Sequence, residues 1–169
     1  MKKLIFMAIG FIMVLAGSFA WAADLPAIPP LPERFKNIRI VKPAPATPKD
    51  IADLLGEWEG SWKWVGDMKE GGELASGQEV RKAKLIVYDA PSPDKVKYLW
   101  GISNSPYYKV SGGWWDNESE IEEHDGQKYF SRISQTAGGA GFRMQFHLEN
   151  GILKGSQGRN FEIELKRVR

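Results

Sequence analysis

From Gly56 onward the chain alternates large apolar and polar side chains with a period of two. Trp58, Gly60, Trp62 and Trp64 fall on one parity, and Glu57, Glu59, Ser61 and Lys63 on the other. That spacing predicts a strand with one face against an apolar interior and one toward water. The pattern recurs. Ala83, Leu85 and Val87 alternate with Lys82, Lys84 and Ile86, and Val96, Tyr98 and Trp100 with Lys95 and Lys97. Phe142, Met144, Phe146 and Leu148 alternate with Arg143, Gln145 and His147, and Phe161, Ile163 and Leu165 with polar residues at 160, 162, 164 and 166. Further strands are expected over 107–116, weakened by Gly112-Gly113, and over 118–124, 127–134 and 152–156. Asp125-Gly126 and Asn150-Gly151 are strong signals for two-residue hairpins. Residues 68–77 read as a glycine-rich loop.

Ahead of the strands, Thr47-Pro48-Lys49-Asp50 reads as a helix start, with Thr47 as N-cap, Pro48 at the first helical position and Asp50 in a capping-box-like place. Gly56 is expected to close this short helix. Its apolar residues Ile51, Leu54 and Leu55 suit a plug across the end of a sheet or barrel. The fold expected is all-β, an antiparallel up-and-down meander of about eight or nine strands closed into a barrel and preceded by a short helix. A two-sheet sandwich is the alternative.

Closure pairs the first strand with the last, so the start of one lies near the end of the other. Arg167 then ends the last strand on the inward parity, opposite Trp58, and a guanidinium stacked on the indole accounts for a cation there. A short helix, Gly56-x-Trp58 opening the first strand and Arg167 ending the last resemble the calycin superfamily of lipocalin-like and fatty-acid-binding-like barrels. The resemblance covers residues 47–169. It implies a barrel binding protein in which Gly56, Trp58 and Arg167 are structural closure residues. The disulfide common in secreted lipocalins cannot form, because the chain has no cysteine.

Three segments are expected. Residues 1–22 read as a cleaved export signal: Lys2 and Lys3, an apolar run over 4–16, and Ala20-Trp21-Ala22 as the small-x-small cleavage site. Leu15-Ala16-Gly17-Ser18 resembles a lipoprotein box with Ser18 where the lipidated cysteine would stand. Residues 23–46 read as an extended leader, since seven of the ten prolines lie between Pro26 and Pro48. Its apolar residues, from Leu25 to Val41, leave open whether it lies on a surface or forms a plain tether. Residues 47–169 form the barrel domain. The expected location is periplasmic or secreted, without a permanent membrane anchor.

Charge and chemistry narrow the function. Without Lys2 and Lys3, the basic side chains number two fewer than the 23 of the whole chain and balance the 21 acidic ones. Nucleic acid is therefore not an expected partner. His124 and His147 are the only histidines, neither is spaced for a metal, and both read as solvent-facing. Glu118, Glu120, Glu122 and Glu123 flank a hairpin tip and read as solvated. Gly138-Gly139-Ala140-Gly141 precedes a strand, not a helix, and so reads as no phosphate loop. No catalytic residue, metal or cofactor is expected. The binding candidates are the inward aromatics and methionine Trp64, Tyr98, Trp100, Trp115, Phe142, Met144 and Phe146. These point to a small hydrophobic or aromatic ligand inside the barrel. The alternative is a solid-core module, an inhibitor, adaptor or carbohydrate- or cell-wall-binding protein, that works through its surface or its leader.

Overall fold

The computed structural model describes residues 25–65, 79–106, 110–135, 141–157 and 160–169. The export signal, the glycine-rich loop and the Gly138–Ala140 stretch lie outside the described residues. Eight antiparallel strands follow one another around a closed barrel: β1 (Gly56–Trp64), β2 (Val80–Ser92), β3 (Lys95–Ile102), β4 (Gly113–His124), β5 (Gln127–Gln135), β6 (Gly141–Glu149), β7 (Ile152–Gln157) and β8 (Phe161–Arg167). Closure occurs where β1 meets β8, from Trp58 opposite Arg167 to Trp64 opposite Phe161.

The pleat sets which side chains fill the interior. Leu85, Trp100 and Trp115 stand in one register from β2 to β4, and Phe130, Phe146, Gly155 and Ile163 in another from β5 to β8. A Cβ at Gly155 would sit 2.8 Å from a Phe146 ring atom, so glycine there makes room for that ring. Both dipeptide hairpins form as expected: Asp125 and Gly126 have φ of 53° and 74°, Asn150 and Gly151 of 51° and 77°. Two consecutive left-handed residues match the twist of the flanking strands.

Three local expectations are corrected. The strands expected over 107–116 and 118–124 are one strand, β4, paired continuously with β3 from Gly113 to Glu120. Asn117 and Ser119 stand opposite the inward Tyr98 and Val96, and these polar inward positions interrupt the alternation. Residues 107–109 lie outside the described set. The helix α1 spans only Lys49–Ala52, with Pro48 and not Thr47 at its N-cap and no side-chain cap; Asp50 Oδ1 instead accepts the Ile51 N–H at 3.1 Å. Gly56 does not end the helix. It opens β1 at φ +147°.

The described part of the leader lies against the outer wall. Val41 N–H donates to Tyr88 O at 2.7 Å, and Trp114 Nε1 donates to Pro29 O at 2.7 Å. Phe35, in a 3-10 turn over Glu33–Phe35, is buried. Trp114 faces outward over Gly101, where any Cβ would come within 2.8 Å of its ring. Leu99, on the outward parity of β3, is also fully buried. No helix among the described residues is long and apolar enough to cross a membrane.

Candidate functional site

The closed end is built from the residues expected there. The Arg167 guanidinium lies 4.4 Å from the Trp58 ring centroid, its Nη1 donates to Leu55 O at 2.6 Å and its Nη2 to Asp53 O. Trp58 Nε1 donates to Leu54 O at 2.9 Å. The plug is thus tied to both closing strands, with Ile51, Leu54 and Leu55 in the core. Gly56 cannot carry a side chain here, because a Cβ would sit 2.5 Å from Arg167 Nη1 and 2.7 Å from Arg169 O. This end is structural.

Above it the inward side chains are in mutual contact. Phe130 stacks on Phe146 at 5.2 Å, Tyr98 meets both edge-on at 5.2 and 6.1 Å, and Trp100 tilts against Phe146 at 5.5 Å. Trp62 stacks on Phe161 at 4.1 Å, and Trp64 meets the same ring edge-on at 4.6 Å. A void able to hold one water would leave accessible surface on the groups around it. Leu85, Val87, Val96, Tyr98, Phe146, Leu153 and Leu165 have none, each being 0% exposed. Of the binding candidates, Tyr98, Trp100, Met144 and Phe146 are buried within this core cluster, Tyr98 and Phe146 with no exposure and Trp100 and Met144 with 1% and 3%. Of Phe142 only the strand position is described. Burial raises the Tyr98 phenol pKa, and its hydroxyl donates to Ser131 O at 3.2 Å.

Two further inward arginines are not foreseen by the alternation, because a polar residue on the inward parity breaks the period of two that marks it. Arg81 is buried in register with Trp62, its Nε donating to Ser103 O at 2.8 Å, and burial pulls its pKa down against the opposing effect of Glu79. Arg132 stands opposite Met144, with its guanidinium carbon 4.9 Å from the Trp115 ring centroid. Here the wall is thinly paired: β4 and β5 share only four residue pairs, from Ile121–Phe130 to His124–Gln127. Beyond them Ser131 N–H donates to Ser119 Oγ at 2.7 Å, a side chain taking the place of a backbone partner. Trp115, 37% exposed, is the large core-parity aromatic that reaches solvent at this seam.

A recess lies on the outside, where sequence reasoning placed only solvated residues. A cleft of about 630 Å³ crosses the outer faces of β1, β8, β7, β6 and β5, with Ser61, Lys63, Glu162, Glu164, Lys154, Ser156, Gln145, His147, Tyr129 and His124 along it. Both histidines face outward as expected, yet they flank one ring: Tyr129 lies 5.0 Å from His147 and 6.1 Å from His124. Their other neighbours are carboxylates, Glu122 at 3.3 Å from His124 and Glu149 at 3.7 Å from His147. Arg143 holds the Glu122 carboxyl below its ordinary pKa, and Lys154, 2.8 Å from Glu149, does the same there. A second cleft of about 310 Å³ lies at Tyr88, Lys97, Asp116, Asn117 and Glu118.

Among the described residues no group of three or more histidine and acidic side chains is placed to hold a metal ion. Compared with protein-family models, with curated proteins and with solved structures, the chain has no match.

Proposed function

We propose that this is an exported, non-catalytic binding module of calycin-like build whose interior is a core and whose ligand or partner is held on the outer wall. One observation carries the reading: Tyr98, Trp100, Phe130 and Phe146, which would line an internal site in the middle of the barrel, are each at most 1% exposed, while a recess of about 630 Å³ lies on the outside. A barrel this size either fills its interior with side chains or leaves a pocket, and 0% exposure along its middle layers supports the first outcome. The non-catalytic part draws on the surface carboxylates. Glu122, Glu149 and Asp50 are held below their ordinary pKa by cationic partners, which makes them weak bases. Export rests on residues 1–22, and N-terminal sequencing of the secreted or periplasmic protein is expected to begin at Ala23.

The test is native mass spectrometry of the purified protein together with tryptophan quenching by an apolar fluorescent probe. The expected result is the bare polypeptide mass and no saturable quenching. A retained apolar molecule, or one-to-one quenching by the probe, would restore the internal site and refute the outer-wall reading. A second reading, an apolar ligand with an acidic head at the β4–β5 seam, is favoured by Trp115 and Arg132 alone.

A further inference from the structure

Around the outer cleft, many of the wall's charges are neutralised in pairs: Lys84 with Glu57 and Glu59, Lys128 with Asp50, Arg143 with Glu122, and Arg169 with Glu57. At the rim, Lys154 and His147 share Glu149. Between these paired rims the register sets two cross-strand rows. Ser61, Glu164, Lys154 and His147 form one, and Lys63, Glu162, Ser156 and Gln145 the other. Among the described residues, Ser61, Lys63, Gln145, Ser156 and Glu162 make no side-chain hydrogen bond or ion pair, although Lys63 stands directly opposite Glu162, and Glu164 has only the longer-range attraction of Lys154 across the strand pair.

We infer that this cleft is a binding site for a neutral saccharide, with Tyr129 as the platform for a sugar face and the uncommitted polar groups as partners for its hydroxyls. The inference rests on the outer-wall reading and gives it a ligand class. Serine hydroxyls and the Gln145 amide both donate and accept, carboxylates accept and Lys63 donates, a mixture suited to a ligand whose every hydroxyl does both. An aromatic ring carries a negative face that receives polarised C–H groups, and Tyr129 lies within the recess. Positive and negative groups are interspersed, so nothing there selects a phosphate or a polycation. A peptide added as a further strand would need a free strand edge. The strands under this cleft, β8 and its neighbours β7 and β1, are paired on both sides. The volume lies within the range of roughly 300–1,000 Å³ typical of small-molecule sites.

The experiment is a titration of the ¹⁵N-labelled protein with maltohexaose, cellohexaose and chitohexaose at millimolar concentration, followed by amide shifts. The expected result is saturable movement for at least one of them, confined to the strands carrying Ser61, Gln145, Lys154 and Glu164. Binding is expected to weaken at least tenfold in Tyr129→Ala and in Glu164→Gln, and to be unchanged in Trp115→Ala. Glu164 is exposed, so its substitution tests the site without endangering the core. Absence of localised shifts with all three sugars overturns the inference, as do shifts centred on Trp115 and Arg132. If native mass spectrometry meanwhile shows an empty interior, the saccharide reading alone falls; a retained internal ligand removes the outer-wall reading itself.

Discussion

Replacing Arg167 by alanine tests the closure of the barrel at its most specific contact. The guanidinium does three things at once: it covers the Trp58 indole at 4.4 Å, donates to Leu55 O at 2.6 Å, and donates to Asp53 O. A cation over an indole contributes about 1 kcal/mol when partly desolvated. A hydrogen bond from a charged donor contributes about 1.5–3 kcal/mol. Leu55 is buried and its carbonyl would lose its partner, whereas the bond to Asp53 is exposed and water replaces it. Counting the first bond in full and the second as nearly nothing, the loss is about 3 kcal/mol, a large part of the roughly 5–15 kcal/mol that holds a domain folded.

Urea unfolding followed by tryptophan fluorescence measures this directly. With a slope of about 2 kcal/mol per molar urea, the midpoint is expected to fall by about 1.5 M. Arg167→Lys separates charge from geometry, because an ammonium cannot lie flat on the ring and serve two carbonyls together. It is expected to recover less than half of the loss. A midpoint shift in Arg167→Ala corresponding to under about 0.5 kcal/mol, or full recovery by lysine, would refute the closure reasoning.

Gly56→Ala is expected to cost about 1–3 kcal/mol in the same assay, since φ is +147° and the new methyl meets Arg167 Nη1 and Arg169 O below 3 Å; an unchanged midpoint would contradict this. Trp114→Phe removes the bond to Pro29 O, and hydrogen exchange at Val41, whose amide bonds to Tyr88 O, is expected to quicken while exchange in β7 and β8 stays as it was. The Lys128 ammonium, 2.7 Å from Asp50, holds that carboxyl below its ordinary pKa. Because the folded value is depressed, the stabilisation is present above the unfolded value of about 4 and is lost as pH falls through the folded one. Lys128→Met is therefore expected to cost at most about 0.5 kcal/mol at neutral pH, the pair being half exposed. The gap to the parent closes in acid; one that persisted there would contradict the assignment.

The barrel was legible because its information is local and periodic. Trp58 and Arg167 share the inward parity at opposite ends of the chain, and Asp125-Gly126 and Asn150-Gly151 dictate their own turns. Strand β4 was read as two pieces because Asn117 and Ser119 face inward, and polar inward residues erase a period of two. Arg81 and Arg132 were missed for the same reason. Parity gives the side of the sheet for Tyr98, Trp100 and Phe146, but how closely their rings meet depends on barrel diameter and strand tilt, which no short window encodes. The leader's fate was left open for a similar reason. Trp114 is an outward position whose indole is held by Pro29, 85 residues earlier in the chain. The outer cleft had the weakest signal. His124 and His147 were placed on the correct side, but the recess that joins them to Tyr129 and Glu164 arises from the curvature of five strands.

The central claim, a filled interior with binding displaced to the outer wall, is tested most directly by diffraction from a xenon-pressurised crystal. Xenon enters dry apolar voids that water leaves empty. The account predicts no xenon site inside the barrel among Leu85, Tyr98, Trp100, Phe146 and Leu165. An ordered xenon atom bounded by these side chains would show an internal cavity and contradict it.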